Sequence, residues 1–146
     1  MRLNLQTDYA LRLLMHLAVN DDTLSTITDI ATRYDISKNH LMKVAHILGR
    51  EGIIETVRGR TGGLRLAGSA KEINVGEIVR LMEADLAIVE CFQDGSGECL
   101  ITPACRLKGV FSEALEAFLA VLDQYSIDEL TRRNSKLRDL LQTEVA

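Results

Sequence analysis

This chain has no tryptophan, a single proline, and only three tyrosines and three phenylalanines among its 146 residues. Ten glycines and 47% hydrophobic residues beside that one proline make disordered and collagen-like chains poor fits. Cysteine is scarce too, since three thiols are too few for a disulfide scaffold and cannot all pair within the chain. Long hydrophobic runs are missing: the apolar residues of MRLNLQTDYALRLLMHLAV are interrupted by Asp8, Arg12 and His16, so neither a signal peptide nor a membrane span is expected. The thiols are then expected in a reducing cytoplasm, where a cysteine cluster more often binds metal or does redox chemistry than holds a fold together. Enzyme signatures are absent as well. HExxH, the P-loop, GxSxG and a carboxylate pair spaced for acid-base work do not occur, and Gly59, Gly62 and Gly63 follow no buried strand as a dinucleotide fingerprint would require. No enzyme is expected.

What is present suits one domain with an appendage, long enough to bury roughly 70% of its unfolded surface. The net charge of -4 hides a division. Residues 1–70 carry nine Lys/Arg against seven Asp/Glu, and residues 71–146 carry eight against fourteen. Within residues 36–66, Lys38, Lys43, Arg50, Arg58, Arg60 and Arg65 face only Glu51 and Glu55. A basic patch on an acidic chain suggests either one face for phosphate or a merely solvated helix face.

Periodicity predicts mostly helix. Thr7 can cap a first helix reaching Val19, with Asp8 in its first turn and Leu11, Leu14, Met15 and Ala18 among its apolar residues. Thr26 with Asp29 opens a short second helix through Ile27, Ile30, Ala31 and Tyr34, and Asp35-Ile36 is a tight turn. Ser37 caps a third helix whose apolar stripe is Leu41, Val44, Ala45 and Leu48, opposed by Asn39, Lys43, His46 and Arg50. That order is a helix-turn-helix, and the third helix is the one offered to a major groove. Residues 53–57 and 64–66 read as two strands joined by the glycine-rich turn 58–63, which makes a wing from which Arg58 and Arg60 project. Candidate DNA contacts are therefore Lys38, Asn39, His40, Lys43, Arg58 and Arg60. His16, by contrast, reads as a packed residue on an apolar helix rather than a ligand.

Asn74 and Glu77 predict a further short helix through Ile78, Val79, Leu81 and Met82. Beyond it, Cys91, Cys99 and Cys105 are spaced C-x7-C-x5-C, with Gly95 and Gly97 making the first interval pliable. Paired CxxC knuckles are absent, so structural zinc would need an unusual arrangement. Three soft thiolates suit an iron-sulfur cluster that lacks one cysteine ligand, with three unrelated buried thiols as the alternative. The proline, Pro103, predicts a long helix starting at Thr102-Pro103, placing Cys105 in a first turn where the helix dipole favours the ligating thiolate. Along it Leu107, Phe111, Ala114, Phe118, Val121 and Tyr125 recur in steps of four and three, either a dimer seam or an ordinary core stripe. Ser126 with Glu129 caps a last helical segment, and the tail after Gln142 is expected to fray. The expected fold is mainly α with a small β-wing. Its parts are a winged helix-turn-helix domain over residues 1–70, a linking helix and cysteine loop over 71–102, and a dimerisation helix with a C-terminal helical segment over 103–146.

The stretches MRLNLQTDYALRLLMHLA, ISKNHLMKVAHIL, VRGRTGGLRLA, VECF, CLITPACRLKGVF and YSIDEL together resemble the winged-helix iron-sulfur transcription regulators, the family of NsrR, IscR and RirA. Within it, SKNHLMKV and CLITPACRL are similar to the NsrR type; IscR-like members have a shorter first cysteine interval, and RirA-like members differ in the reading helix. The resemblance implies a homodimer with crossing long helices, each cluster held by Cys91, Cys99 and Cys105, and a non-cysteine fourth ligand from the partner's first helix. Asp8 is the candidate for that ligand, and equally a residue favoured at a helix start. A [4Fe-4S] cluster ranks ahead of a [2Fe-2S] one. The implied activity is repression at promoter DNA, released when nitric oxide attacks the cluster. The alternatives are a repressor sensing iron or iron-sulfur status, and a zinc or thiol redox sensor.

Overall fold

In this computed structural model, residues 1–93 and 99–142 are described. Gly95, Gly97 and the tail beyond Gln142 lie outside the described residues.

The first helix, α1, runs Leu5–Val19. Its cap is Asn4 rather than Thr7: the Asn4 Oδ1 accepts from the Thr7 N–H at 2.8 Å, and Thr7 is itself buried one turn inside. Asn caps as well as Thr does, and here its amide also donates to the Met82 carbonyl at 3.1 Å, a bond that Thr7 could not make from within the helix. The expected loss for Asn4→Ala is therefore about 1–2 kcal/mol in urea unfolding. An unchanged midpoint would show that the cap contributes nothing. Burial along α1 is uneven. Ala10, Leu13, Leu14 and Leu17 are essentially inaccessible, whereas Leu11, Met15 and Ala18 are only half-buried against the same core.

The second and third helices, α2 (Ile27–Tyr34) and α3 (Lys38–Arg50), follow the expected signals. Thr26 accepts from the Asp29 N–H, Ser37 accepts from the His40 N–H, and Asp35 takes the left-handed conformation (φ 51°) in the turn between them. Leu41, Val44 and Leu48 bury the inner stripe of α3 against α1 and α2. Strands β1 (Ile54–Val57) and β2 (Gly63–Leu66) then pair antiparallel with Ile54 opposite Leu66 and Val57 opposite Gly63. Gly59 at φ 117° makes the tip possible, since side-chain-bearing residues rarely adopt that angle. The wing is fastened to the chain entering α2, because Ser25 and Leu64 exchange two backbone bonds of 3.0 and 2.7 Å.

Helix α4 (Val75–Met82) begins at the Asn74 cap and adds Val75, Ile78 and Met82 to the same core. The expected long helix is shorter than the proline suggested. Thr102–Ala104 forms a separate tight turn, Cys105 is extended, and α5 spans Leu107–Leu122. Cys105 thus precedes α5 instead of sitting in its first turn. The chain then returns. Ser126 and Glu129 form the expected capping box, opening α6 (Ile127–Thr131), and Asn134 caps a separate α7 (Ser135–Leu141). Ile127 is fully buried in the core shared by α1 to α4.

One end of α5 is firmly held. Val75 N–H donates to Tyr125 O at 2.9 Å, Ile127 N–H donates to Ile73 O at 2.9 Å, and Arg80 grips Asp123 through two bonds of 2.6 and 2.7 Å. That grip keeps the Asp123 carboxyl below its ordinary range. Gly76 admits it, since a Cβ there would collide with Asp123 Oδ1. None of the sixteen residues of α5 is fully buried.

Candidate nucleic-acid interface and cysteine segment

The fold turns Lys38, Asn39, His40 and Lys43 outward on α3, and Arg58 and Arg60 outward at the wing tip. Charge pairing sorts the basic set. Arg65 is held by Glu55 directly across the wing, and Arg50 stands 3.8 Å from Glu51. Among the described residues, no ion pair engages Lys38, Lys43, Arg58 or Arg60. Four cations are thus presented to solvent on two adjacent elements, the condition for neutralising a row of phosphates. Between those elements runs an open groove of about 710 Å³ whose lining includes Met42, His46 and Arg50 of α3 and Glu55 and Thr56 of β1.

The cysteine segment hangs from the end of α4. Glu83 closes that helix and reaches the start of α1, where its Oε1 accepts from the Asn4 N–H at 2.9 Å and the Thr7 hydroxyl at 2.5 Å. Next, Asp85 accepts from the Ala87 N–H at 2.7 Å and from Gln93 Nε2 at 3.1 Å, pinning the turn that carries Cys91. Sequence reasoning missed Asn4 and Glu83, whose partners lie nearly eighty residues away, and Asp85, which holds a short turn outside any periodic element.

All three cysteines are free thiols. Cys91 and Cys105 line one open pocket of about 910 Å³ together with Asp85 and Lys108, while Cys99 is exposed and lies elsewhere. Among the described residues no three His, Cys, Asp or Glu side chains are gathered closely enough to hold a metal ion. Two soft donors facing a common open space suit a thiophilic group in chemistry; Cys99 is not among the residues lining that space. Asp8, the other candidate donor, is half-exposed on α1 and paired with Arg12 at 2.7 Å.

Of the expected seam, Leu107, Ala114, Val121 and Tyr125 are exposed, whereas Phe111 and Phe118 are half-buried. Val110 and Ala117 complete an outward stripe, Leu107, Val110, Ala114, Ala117 and Val121, again in steps of three and four. The opposite side of α5 meets its own chain, with Leu115 and Phe118 lining a groove beside Leu86 and Ile88.

A helix-turn-helix with a two-stranded wing, an unpaired basic face and a thiol-bearing segment define a winged-helix transcription regulator. The chain belongs to the Rrf2 family, described as iron-dependent transcriptional regulator, which matches residues 3–133. It is 50% identical over 143 residues to the HTH-type transcriptional regulator NsrR of Shouchella clausii (strain KSM-K16), covering 97% of this chain and 96% of that one. Against the NsrR of Bacillus subtilis (strain 168) the identity is 49% over 97% of this chain and 98% of the relative. The resemblance to the NsrR type read from the motifs is thus borne out. In architecture it matches T. potens IscR with a TM-score of 0.72 at 22% identity, over 90% of this chain and 87% of that one. The chain is a regulator of transcription, as its family and relatives are. Among the described residues no helix is long and apolar enough to cross a membrane.

Proposed function

We propose that this chain is an iron-sulfur repressor that binds promoter DNA as a homodimer and lets go when nitric oxide reacts with the cluster. The observation that carries the reading is the place of the thiols. Cys91, Cys99 and Cys105 are free and lead directly into the head of a sixteen-residue helix with no buried residue. A helix so uncovered wants a partner, and its outward apolar stripe has the spacing with which a second copy would interdigitate.

The ligands of the cluster, [4Fe-4S] ahead of [2Fe-2S], would be Cys91, Cys99 and Cys105 of one chain and Asp8 of the partner subunit. When bound, that group supplies iron atoms with which nitric oxide reacts. The rest belongs to the chain. Holding that group, Cys91 and Cys105 would join the segment after α4 to the head of α5, and their release would free the Leu107 end of α5 while its Asp123 end stays held. Asp8, once free, has Arg12 at hand in the same helix. Two reading units then lose the separation that their half-sites require. Residues 1–70 serve as the reading unit, 71–102 as the connection and 103–146 as the pairing segment.

On the DNA, Asn39 and His40 are assigned to base edges in the major groove, Lys38 and Lys43 to phosphates, and Arg58 and Arg60 to the flanking minor groove and its backbone. Arg58→Ala should weaken operator binding by about 1–3 kcal/mol in a titration at fixed salt. An unchanged affinity would remove it from the interface. The decisive experiment purifies the protein without oxygen, records its visible spectrum, and titrates nitric oxide while DNA binding is followed in the same sample. Loss of the cluster band in step with DNA release supports nitric oxide as the signal. Release only on iron depletion would make the protein a sensor of iron status, the reading favoured by the iron dependence in the family's description. A colourless protein that binds zinc would leave a thiol or zinc sensor.

A further inference from the structure

Besides their shared core, helix α1 meets the reading helix through an aromatic pair. Tyr9 of α1 and His40 of α3 stack with ring centroids 6.5 Å apart and planes inclined by 29°. The two rings differ in footing: Tyr9 is half-buried and packed on the core, whereas His40 is exposed in the first turn of α3. A fixed ring beside a free one limits the directions the free one can take, and an offset aromatic pair at this separation is attractive. The same turn of α1 also grips the other half of the helix-turn-helix. Arg12 places its guanidinium 5.9 Å from the centre of the Tyr34 ring in α2, and the Tyr34 hydroxyl donates to the Arg12 carbonyl at 3.2 Å. Asp8, paired with Arg12, is the neighbour of Tyr9 in sequence, so a turn of this helical segment that re-aims one side chain re-aims the other.

We propose that Tyr9 is a positioning residue for DNA reading: its ring seats His40 against the base edges, and operator affinity depends on it through His40. The inference rests on α3 being the reading helix and adds a residue outside that helix. It also gives the first turns of α1 two duties, holding Asp8 on one side and His40 on another.

The test is a double-substitution cycle on the purified full-length chain. The probes are a duplex selected from a random-sequence pool by the unsubstituted protein and a scrambled duplex of the same length. Tyr9→Leu is expected to lower affinity for the selected duplex roughly two- to tenfold while leaving scrambled-duplex binding unchanged. Tyr9→Phe, which keeps the ring, should bind as the unsubstituted protein does. In a His40→Ala background, Tyr9→Leu should have no further effect. The proposal is overturned if the Tyr9→Leu loss persists undiminished in that background, or if Tyr9→Phe binds as weakly as Tyr9→Leu. A pool from which the unsubstituted protein enriches no duplex overturns the DNA-reading assignment itself, and this one with it.

Discussion

A Cys99→Ala chain purified without oxygen is expected to be colourless, with iron and sulfide at background, where the unsubstituted chain carries a full cluster. The same is expected of Cys91→Ala and Cys105→Ala, but Cys99 is the sharper test. The other two thiols already line a common pocket, whereas Cys99 is exposed and lies outside that lining. If the cluster draws it in, three soft ligands hold the metal together, and with one of them removed the remaining oxygen donors cannot take its place on a thiophilic metal. Iron and sulfide analysis with the visible spectrum reads the outcome. A fully loaded Cys99→Ala protein would remove Cys99 from the ligand set and require another donor in its place.

Acid should weaken the fold through His16. The side chain is fully buried in α1, stacks edge-on against Tyr34, and among the described residues neither ring nitrogen has a hydrogen-bond partner. Burial first, and then the nearby Arg33 guanidinium, push its pKa down to about 4, with Asp29 offsetting part of the shift. The unfolded chain, with an ordinary imidazole near 6.5, therefore takes up a proton before the folded one does. Stability from this group is complete above about pH 6.5 and is lost as pH falls toward 4, by about 2 kcal/mol at pH 5 and about 3 kcal/mol at pH 4. His16→Leu should abolish that part of the slope. It should be no less stable than the unsubstituted protein at pH 5, because it removes two buried polar atoms that have no partner. Urea unfolding of both chains between pH 4 and pH 7.5 measures the difference, and equal slopes would show that His16 stays neutral in both states.

Much of the fold could be read from the residues because it is written in short-range signals. Thr26, Ser37, Asn74 and Ser126 each cap the helix they precede through a backbone N–H three residues on, a bond that depends on nothing distant. Two of the misreadings have different causes. Thr7 and Asn4 are both good caps three residues apart, and the choice fell to Asn4 because Met82 and Glu83, nearly eighty residues away, offer it partners. Pro103 starts a turn as readily as a helix, and the chain leaves that turn at Cys105 in an extended conformation. Within the site, the outward stripe of α3 and the wing arginines followed from periodicity. The partners that position the site, Glu83 to α1, Asp123 to Arg80 and Tyr9 to His40, join residues with no periodic relation. Val110 and Ala117 escaped because a four-and-three count seeded at Leu107 and stepping first to Phe111 selects a neighbouring stripe, and only burial separates the two.

The way α5 is fastened has a mechanical consequence. Held at its C-terminal joint by Arg80 and the backbone bonds around residues 73–75 and 125–127, and touching its own chain along one side only, it can act as a lever about that joint. Sixteen helical residues span about 24 Å, so a swing of only about 10° carries the Leu107 tip through about 4 Å. That exceeds the roughly 3.4 Å rise of one base pair, enough, in the proposed dimer, to put its two readers out of step with a rigid duplex.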